Sequence, residues 1–238
     1  MFRTAGTEVC IPSVWMSIPK LGKDKREAQG DATRIALLAA AREMFGESGY
    51  AATSIEEVAA RAGVTKGAVY HHFGGKSNLF QEVYEQVMRE VSDKVVSVFN
   101  EPDHWRAVTE GCQLMIDAQL DPAVRRIALH DARSVLSWDV VHLIETRYGA
   151  VGIRGALRKA MHGGVIERQP MRPLALLLAG AISEACFYVA DADDPILARE
   201  EVGRLVVRIL EGLKVQAKNP VAGRAVSSPE QHALVADQ

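Results

Sequence analysis

From residue 31 onward the chain keeps apolar residues at helical spacing almost to its end. Ile35, Leu38, Ala41 and Phe45 fall on one helical stripe, and Gly46 and Gly49 are expected to stop that helix. Thr53-Ser54 followed by Glu56-Glu57 marks a new helix start. Short side-chain oxygens satisfy free amides there, and acids favour the positive end of the dipole. Ile55, Val58, Ala59 and Ala62 form that helix's inner face, and Gly63 breaks it. Thr65 is expected to cap a short helix through about His72. Gly74-Gly75 breaks the pattern again, and Ser77 is expected to cap a long helix with Phe80, Val83, Tyr84, Val87, Met88, Val91 and Val95 on one side. Helical segments over 103–119, 121–136, 138–162, 170–191 and 195–216 follow, punctuated by Asp103, Asp121-Pro122, Gly163-Gly164, Pro170 with Pro173, and Pro195. No run alternates strictly with period two, so an all-α fold is expected.

The two ends differ from this pattern. Residues 1–30 mix glycine, proline and charge without a helical period, and are expected to form a flexible N-terminal arm ending in the run Lys23-Asp24-Lys25-Arg26-Glu27. Such a run either lies along a nucleic acid or is simply solvated. Residues 217–238, with Pro220, Gly223, Ser227-Ser228 and Pro229, are expected to be a disordered tail.

Composition is that of a soluble globular chain, at 48% hydrophobic and 24% charged, and a net charge of -2 means that any nucleic-acid surface must be a local patch. Three cysteines, Cys10, Cys112 and Cys186, form no C-x-x-C pair and cannot all pair internally, which fits a reduced cytoplasmic chain. The longest apolar run, 174–181, is too short to span a membrane, and the N-terminus lacks the apolar core of a signal peptide. No membrane partner is expected.

Residues 53–73 read TSIEEVAARAGVTKGAVYHHF. Two short helices around a Gly-Val turn can hold each other at a steep angle, so that the second projects like a finger into a groove about one helix wide. Its Thr65, Lys66, Tyr70, His71 and His72 suit phosphate and base-edge contacts, and Gly67 with Ala68 allows close backbone approach. Lys76 stands just before a helix N-terminus, where its charge and free amides can share a phosphate. Between residues 31 and 80, Arg34, Arg42, Arg61, Lys66 and Lys76 are matched by Asp31, Glu43, Glu47, Glu56 and Glu57. Affinity must therefore come from arrangement and two-fold avidity.

The stretch from Thr33 to about Val87 resembles the DNA-binding domain of the tetracycline-repressor (TetR) family. The matching text is A-x-x-x-F-x-x-x-G-Y from Ala41, T-S-I-E-E-V-A-x-x-A-G-V from Thr53, T-K-G-A-V-Y-x-H-F from Thr65 and K-x-x-L-F from Lys76. The resemblance implies a recognition helix at 65–73, with Tyr70 and His72 matching its DNA-contacting aromatic and histidine. It makes Lys76 the phosphate lysine and Ser54 a further phosphate contact. Ala68 stands where some members carry a larger polar residue, which shifts base reading toward Lys66 and His71. The expected organisation is a helix-turn-helix domain at 31–77 and a larger helical ligand-binding and dimerisation domain at 78–216. The expected partners are double-stranded operator DNA, a small-molecule effector and a second copy of the chain.

In the larger domain, the helices at 170–191 and 195–216 carry more apolar surface than one domain face can bury, which suits a four-helix homodimer interface. Trp105, Cys112, Met115, Ile116, Gln119, Trp138, His142, Tyr148 and Met161 are candidate lining for an apolar effector cavity. Gly149-x-x-Gly152-x-x-Gly155 follows no strand and is expected to mark close helix packing. No cofactor or metal is expected, since no ligand spacing joins His130, His142 and Glu184. The alternative is a metal- or redox-responsive regulator of the same fold, using Cys112 or Cys186 with a nearby histidine. No nucleophile elbow or oxyanion site is present, so no enzymatic activity is expected.

Overall fold

The computed structural model describes residues 21–98 and 103–215; the first twenty residues and the C-terminal tail lie outside them. In chain order the helices are α1 Leu21–Ala52, α2 Ile55–Arg61, α3 Lys66–Phe73, α4 Lys76–Ser97, α5 His104–Asp117, α6 Pro122–Arg125, α7 Ala132–Val135, α8 Trp138–Tyr148, α9 Ala150–His162, α10 Met171–Asp191 and α11 Pro195–Glu211. A 3₁₀ turn, Ala118–Leu120, follows α5, and a π-helical turn, Arg126–Asp131, joins α6 to α7. Residues 21–30, expected to belong to the loose arm, are helical. Lys23, Lys25, Arg26, Ala28 and Gln29 are good helix formers and outweigh Gly22 and Gly30.

The chain divides into two compact units. Among the described residues, one comprises 21–87 with 122–141, the other 88–98, 103–121 and 142–215. Within the first unit, α6 and the π turn pack on α1.

In the first unit, α1 buries Leu37, Ala41 and Phe45 at i, i+4 and i+8. Ile35, expected on this stripe, is 66% exposed, because the buried stripe is turned one step toward Leu37. Gly46 does not end the helix. It sits buried where α6 crosses, and a Cβ there would lie 2.6 Å from that of Ala123. The chain kinks at Gly49, whose φ of 83° suits glycine. Just past the kink, the Tyr50 N–H donates to Asp131 Oδ2 at 2.8 Å, tying α1 to the end of the π turn. Phe45, Tyr50 and Phe80 form an aromatic cluster, with edge-on contacts of 5.2 Å from Phe80 to each of the other two rings. Phe45 and Phe80 are fully buried, each worth about 1.5–3 kcal/mol in apolar area removed from water.

In the second unit, α5 packs against α9, α10 and α11. Trp105 donates from Nε1 to Glu211 Oε1 at 2.9 Å, with Lys214 over its ring. Gln113 donates to the carbonyl of Gly203 at 3.0 Å, and a Cβ on that glycine would meet Gln113 Oε1 at 2.8 Å. The expected segment 138–162 breaks at Gly149 into α8 and α9. Close helix packing through the glycine triplet is not found at Gly155, which is exposed, with no atom within 4 Å of a would-be Cβ. By length and composition alone α10 could cross a membrane. It instead buries Leu174, Leu178, Ile182, Ala185 and Val189 and packs against α5, α9 and α11, as a core helix does.

Candidate nucleic-acid interface

Helix α2 begins with a reciprocal cap. Ser54 Oγ accepts from the Glu57 N–H at 3.1 Å, and the Ser54 N–H donates to Glu57 Oε2 at 2.9 Å. The Ser54 hydroxyl also donates to that carboxylate at 2.7 Å. These bonds, the hydroxyl's first, hold the Glu57 carboxyl below its ordinary value. The single hydroxyl proton of Ser54 is therefore committed within the cap. Gly63, with φ 68°, makes the turn that sends the chain into α3.

Helix α3 has two unlike faces. Val69 and Phe73, one turn apart, are buried and anchor it, at 0% and 5% exposure. Lys66, Gly67, Tyr70 and His71 point away and are exposed, and Ala68 and His72 are half-buried. Tyr70 is 47% exposed, so its ring presents to solvent rather than filling the core. Thr65 occupies the N-cap position without a side-chain cap bond. The His71 and His72 rings meet edge to face at 5.0 Å.

The cations here are held in different ways. Lys66 pairs with Glu56 and lies 5.8 Å over the Tyr70 ring. That hydrogen bond raises the lysine's pKa and lowers the glutamate's. Arg34 pairs with Glu82, and Arg61 with Glu43. Lys76 is different. It opens α4, one residue before the expected cap at Ser77, and its Nζ stands 4.2 Å over the Tyr50 ring. No spacing in the sequence links Glu56 or Tyr50 to these lysines; the G-Y pair at 49–50 is the visible signal.

The candidate effector residues separate into groups. Cys112 and Ile116 are fully buried on α5, and Met161 is buried on α9. Gln119 is buried and donates to the Met115 carbonyl, which also accepts from the Cys186 thiol of α10. Trp105 is engaged with Glu211 at the other end of α5. Trp138 is 73% exposed, His142 is exposed and Tyr148 half-buried. Burial pushes the thiols of Cys112 and Cys186 up to about 12, for Cys186 with a smaller contribution from its neighbour Cys112. Protonated, enclosed thiols are poor metal ligands and slow to oxidise. Among the described residues no group of three His, Cys, Asp or Glu side chains could hold a metal ion.

A short helix anchored by one face, with bases and aromatics on the other, set after a capped helix and a glycine turn, defines a helix-turn-helix DNA reader. Comparison with known proteins agrees. A family model described as bacterial regulatory proteins, tetR family, matches residues 37–83, and a tetracyclin repressor-like C-terminal domain model matches 105–213. The chain is 31% identical over 155 residues to the HTH-type transcriptional regulator TtgR of Pseudomonas putida, covering 60% of this chain and 71% of that protein. It is 25% identical over 158 residues to the transposon Tn10 TetC protein of Escherichia coli, covering 66% and 80%. A TetR-family transcriptional regulator from Pectobacterium atrosepticum superposes with a TM-score of 0.70 at 32% identity, over 79% of this chain and 97% of that one. The chain belongs to the TetR family and is a transcriptional regulator.

Proposed function

We propose that this regulator is a repressor, acting as a homodimer on a palindromic operator and released from it by a small apolar molecule. The observation that carries DNA reading is the split face of α3, with Val69 and Phe73 anchored and Lys66, Gly67, Tyr70 and His71 turned outward. Recognition helices in a two-fold dimer meet successive major grooves about 34–36 Å apart. Dimerisation is supported by the α10–α11 face, where Leu177, Tyr188, Leu205 and Ile209 remain more than half exposed. A groove of about 570 Å³ there is lined by Tyr188, Glu201, Val202, Arg204, Leu205 and Arg208.

Effector binding is assigned to the second unit, around Cys112, Met115, Ile116, Gln119 and Met161. Its effect is a shift between two states, which requires the effector to bind the released state more tightly. As a regulator of operator DNA, the protein works in the cytoplasm.

Selection from random-sequence duplexes tests the reading. A site with two-fold symmetry is expected, and Tyr70→Ala or Lys76→Ala should weaken binding to it without changing helix content or oligomeric state. Unchanged affinity for both variants in a salt-controlled titration overturns it.

A further inference from the structure

Cations near α3 are held by two kinds of partner, and the difference matters for DNA. A lysine paired with a carboxylate must give up that partner before it neutralises a phosphate. A lysine over an aromatic ring keeps its whole charge, because the ring offers only a quadrupole. Lys66, Arg34 and Arg61 are in the first situation, with Glu56, Glu82 and Glu43, even though Lys66 and Arg34 also stand 5.8 and 5.6 Å from the centres of the Tyr70 and Phe73 rings. Lys76 is in the second, 4.2 Å over Tyr50. Glu57 lies within electrostatic reach of Lys76, but its carboxylate is bonded to the hydroxyl and amide of Ser54.

The ring beneath Lys76 is itself fixed. Phe80 meets it edge-on at 5.2 Å and Phe45 lies 5.8 Å away. The backbone at Tyr50 is held by the bond from its N–H to Asp131, at the end of the π turn. Gly49 leaves little room there, since a Cβ on it would meet Arg126 Nη1 at 3.3 Å and Asp131 Oδ2 at 3.4 Å. A ring so clamped presents the ammonium at one place, and less side-chain entropy is lost when a phosphate arrives.

We propose that Tyr50 is a positioning residue for DNA binding: its ring holds the Lys76 ammonium, charge intact, where a backbone phosphate is met, and Asp131 secures Tyr50 from behind. This rests on Lys76 being a phosphate contact, as proposed above.

The test is equilibrium binding of the full chain to mixed-sequence duplex DNA across a range of KCl concentrations. Lys76→Ala should weaken binding and flatten the slope of log affinity against log salt by about 0.9 per subunit, the value for one phosphate no longer neutralised. Tyr50→Phe should bind as the native protein does. Tyr50→Leu should weaken binding about 2–10-fold per subunit, the cost of ordering a long side chain that the ring no longer holds in place, and should add nothing in the Lys76→Ala background. Because Leu could disturb the aromatic cluster, the deciding series is Tyr50→Phe carrying progressively more ring fluorines. These keep the shape while draining the ring face of electron density. Affinity falling stepwise with fluorination, at unchanged thermal stability, supports the proposal. Affinity indifferent to fluorination, or a Tyr50→Leu effect just as large without Lys76, overturns it while leaving the phosphate contact standing. Lys76→Ala with unchanged affinity and slope removes the phosphate contact itself.

Discussion

Leu177 offers the sharpest test of how two copies meet. It is 74% exposed on α10 and lies on one helical stripe with Ala181, Glu184 and Tyr188, at i, i+4, i+7 and i+11. Tyr188 donates from its hydroxyl to Glu201 of α11 at 3.1 Å and shares a groove wall with Leu205, so the stripe continues onto the neighbouring helix. Full burial of a leucine is worth about 1.5–3 kcal/mol. With 74% of the side chain still exposed, about 1–2 kcal/mol per subunit is available to an interface. Counted twice in a two-fold dimer this is about 2–4 kcal/mol, or roughly 30- to 700-fold in the dimer dissociation constant. Leu177→Ala should lose much of that. Leu177→Asp, which would bury a carboxylate without a partner, should give monomer at micromolar concentration. Sedimentation equilibrium measures both. Helix content should stay native, and DNA affinity should fall because the avidity of two linked recognition helices is gone. A Leu177→Asp chain that dimerises with the native constant would refute the assignment of this face.

Other consequences are as direct. Gly46→Ala should destabilise the first unit by about 1–3 kcal/mol in denaturant titration, because the new methyl would overlap Ala123 across α1 and α6. Glu56→Gln should strengthen DNA binding and steepen its salt dependence by up to about 0.9 per subunit, since it frees Lys66 for a phosphate and removes a repelling charge. A slope unchanged from native would show that Lys66 meets no phosphate. Cys112 and Cys186 have thiols raised from 9.0 to about 12 in the fold. A raised value means that the stabilisation is fully present below 9.0 and is lost as pH climbs toward 12, at no more than about 1.4 kcal/mol per pH unit for each thiol. Urea midpoints measured over that window should fall more steeply for the native chain than for a Cys112→Ala Cys186→Ala variant.

Much of the reader could be deduced from local chemistry. A cap at Ser54, a glycine at 63 and apolar residues one turn apart at Val69 and Phe73 each act over a few residues, so their meaning is visible in the string itself. What escaped depends on packing or distance. Ile35 and Leu37 are equally apolar, and only the direction of the neighbouring helices decides which is buried. Gly46 looks like a helix stop until Ala123 is seen against it. Across Gly149 the buried stripe changes side: Val141 and Ile144 would lie opposite Ile153, Leu157 and Ala160 on an unbroken helix, yet the many apolar residues in between blur that shift in the string. Asp131 and Tyr50 are 81 positions apart, and no spacing rule links an acid to a backbone amide at that range. In the larger domain, aromatic and methionine residues marked apolar interior without saying which share a neighbourhood; Trp105 and Trp138 proved to have unlike surroundings.

The π turn at Arg126–Asp131 has a consequence for how such proteins can diverge. Its wider ring accommodates residues that an ordinary helix would place about 100° further round for each position. Insertions and deletions are usually absorbed in surface loops. Loss of a single codon here would instead let the segment tighten, swing the carboxylate at its end away from the amide beyond Gly49, and free the kink in α1. Lineages that keep this contact are thus expected to preserve the length of the 122–135 segment more strictly than its composition.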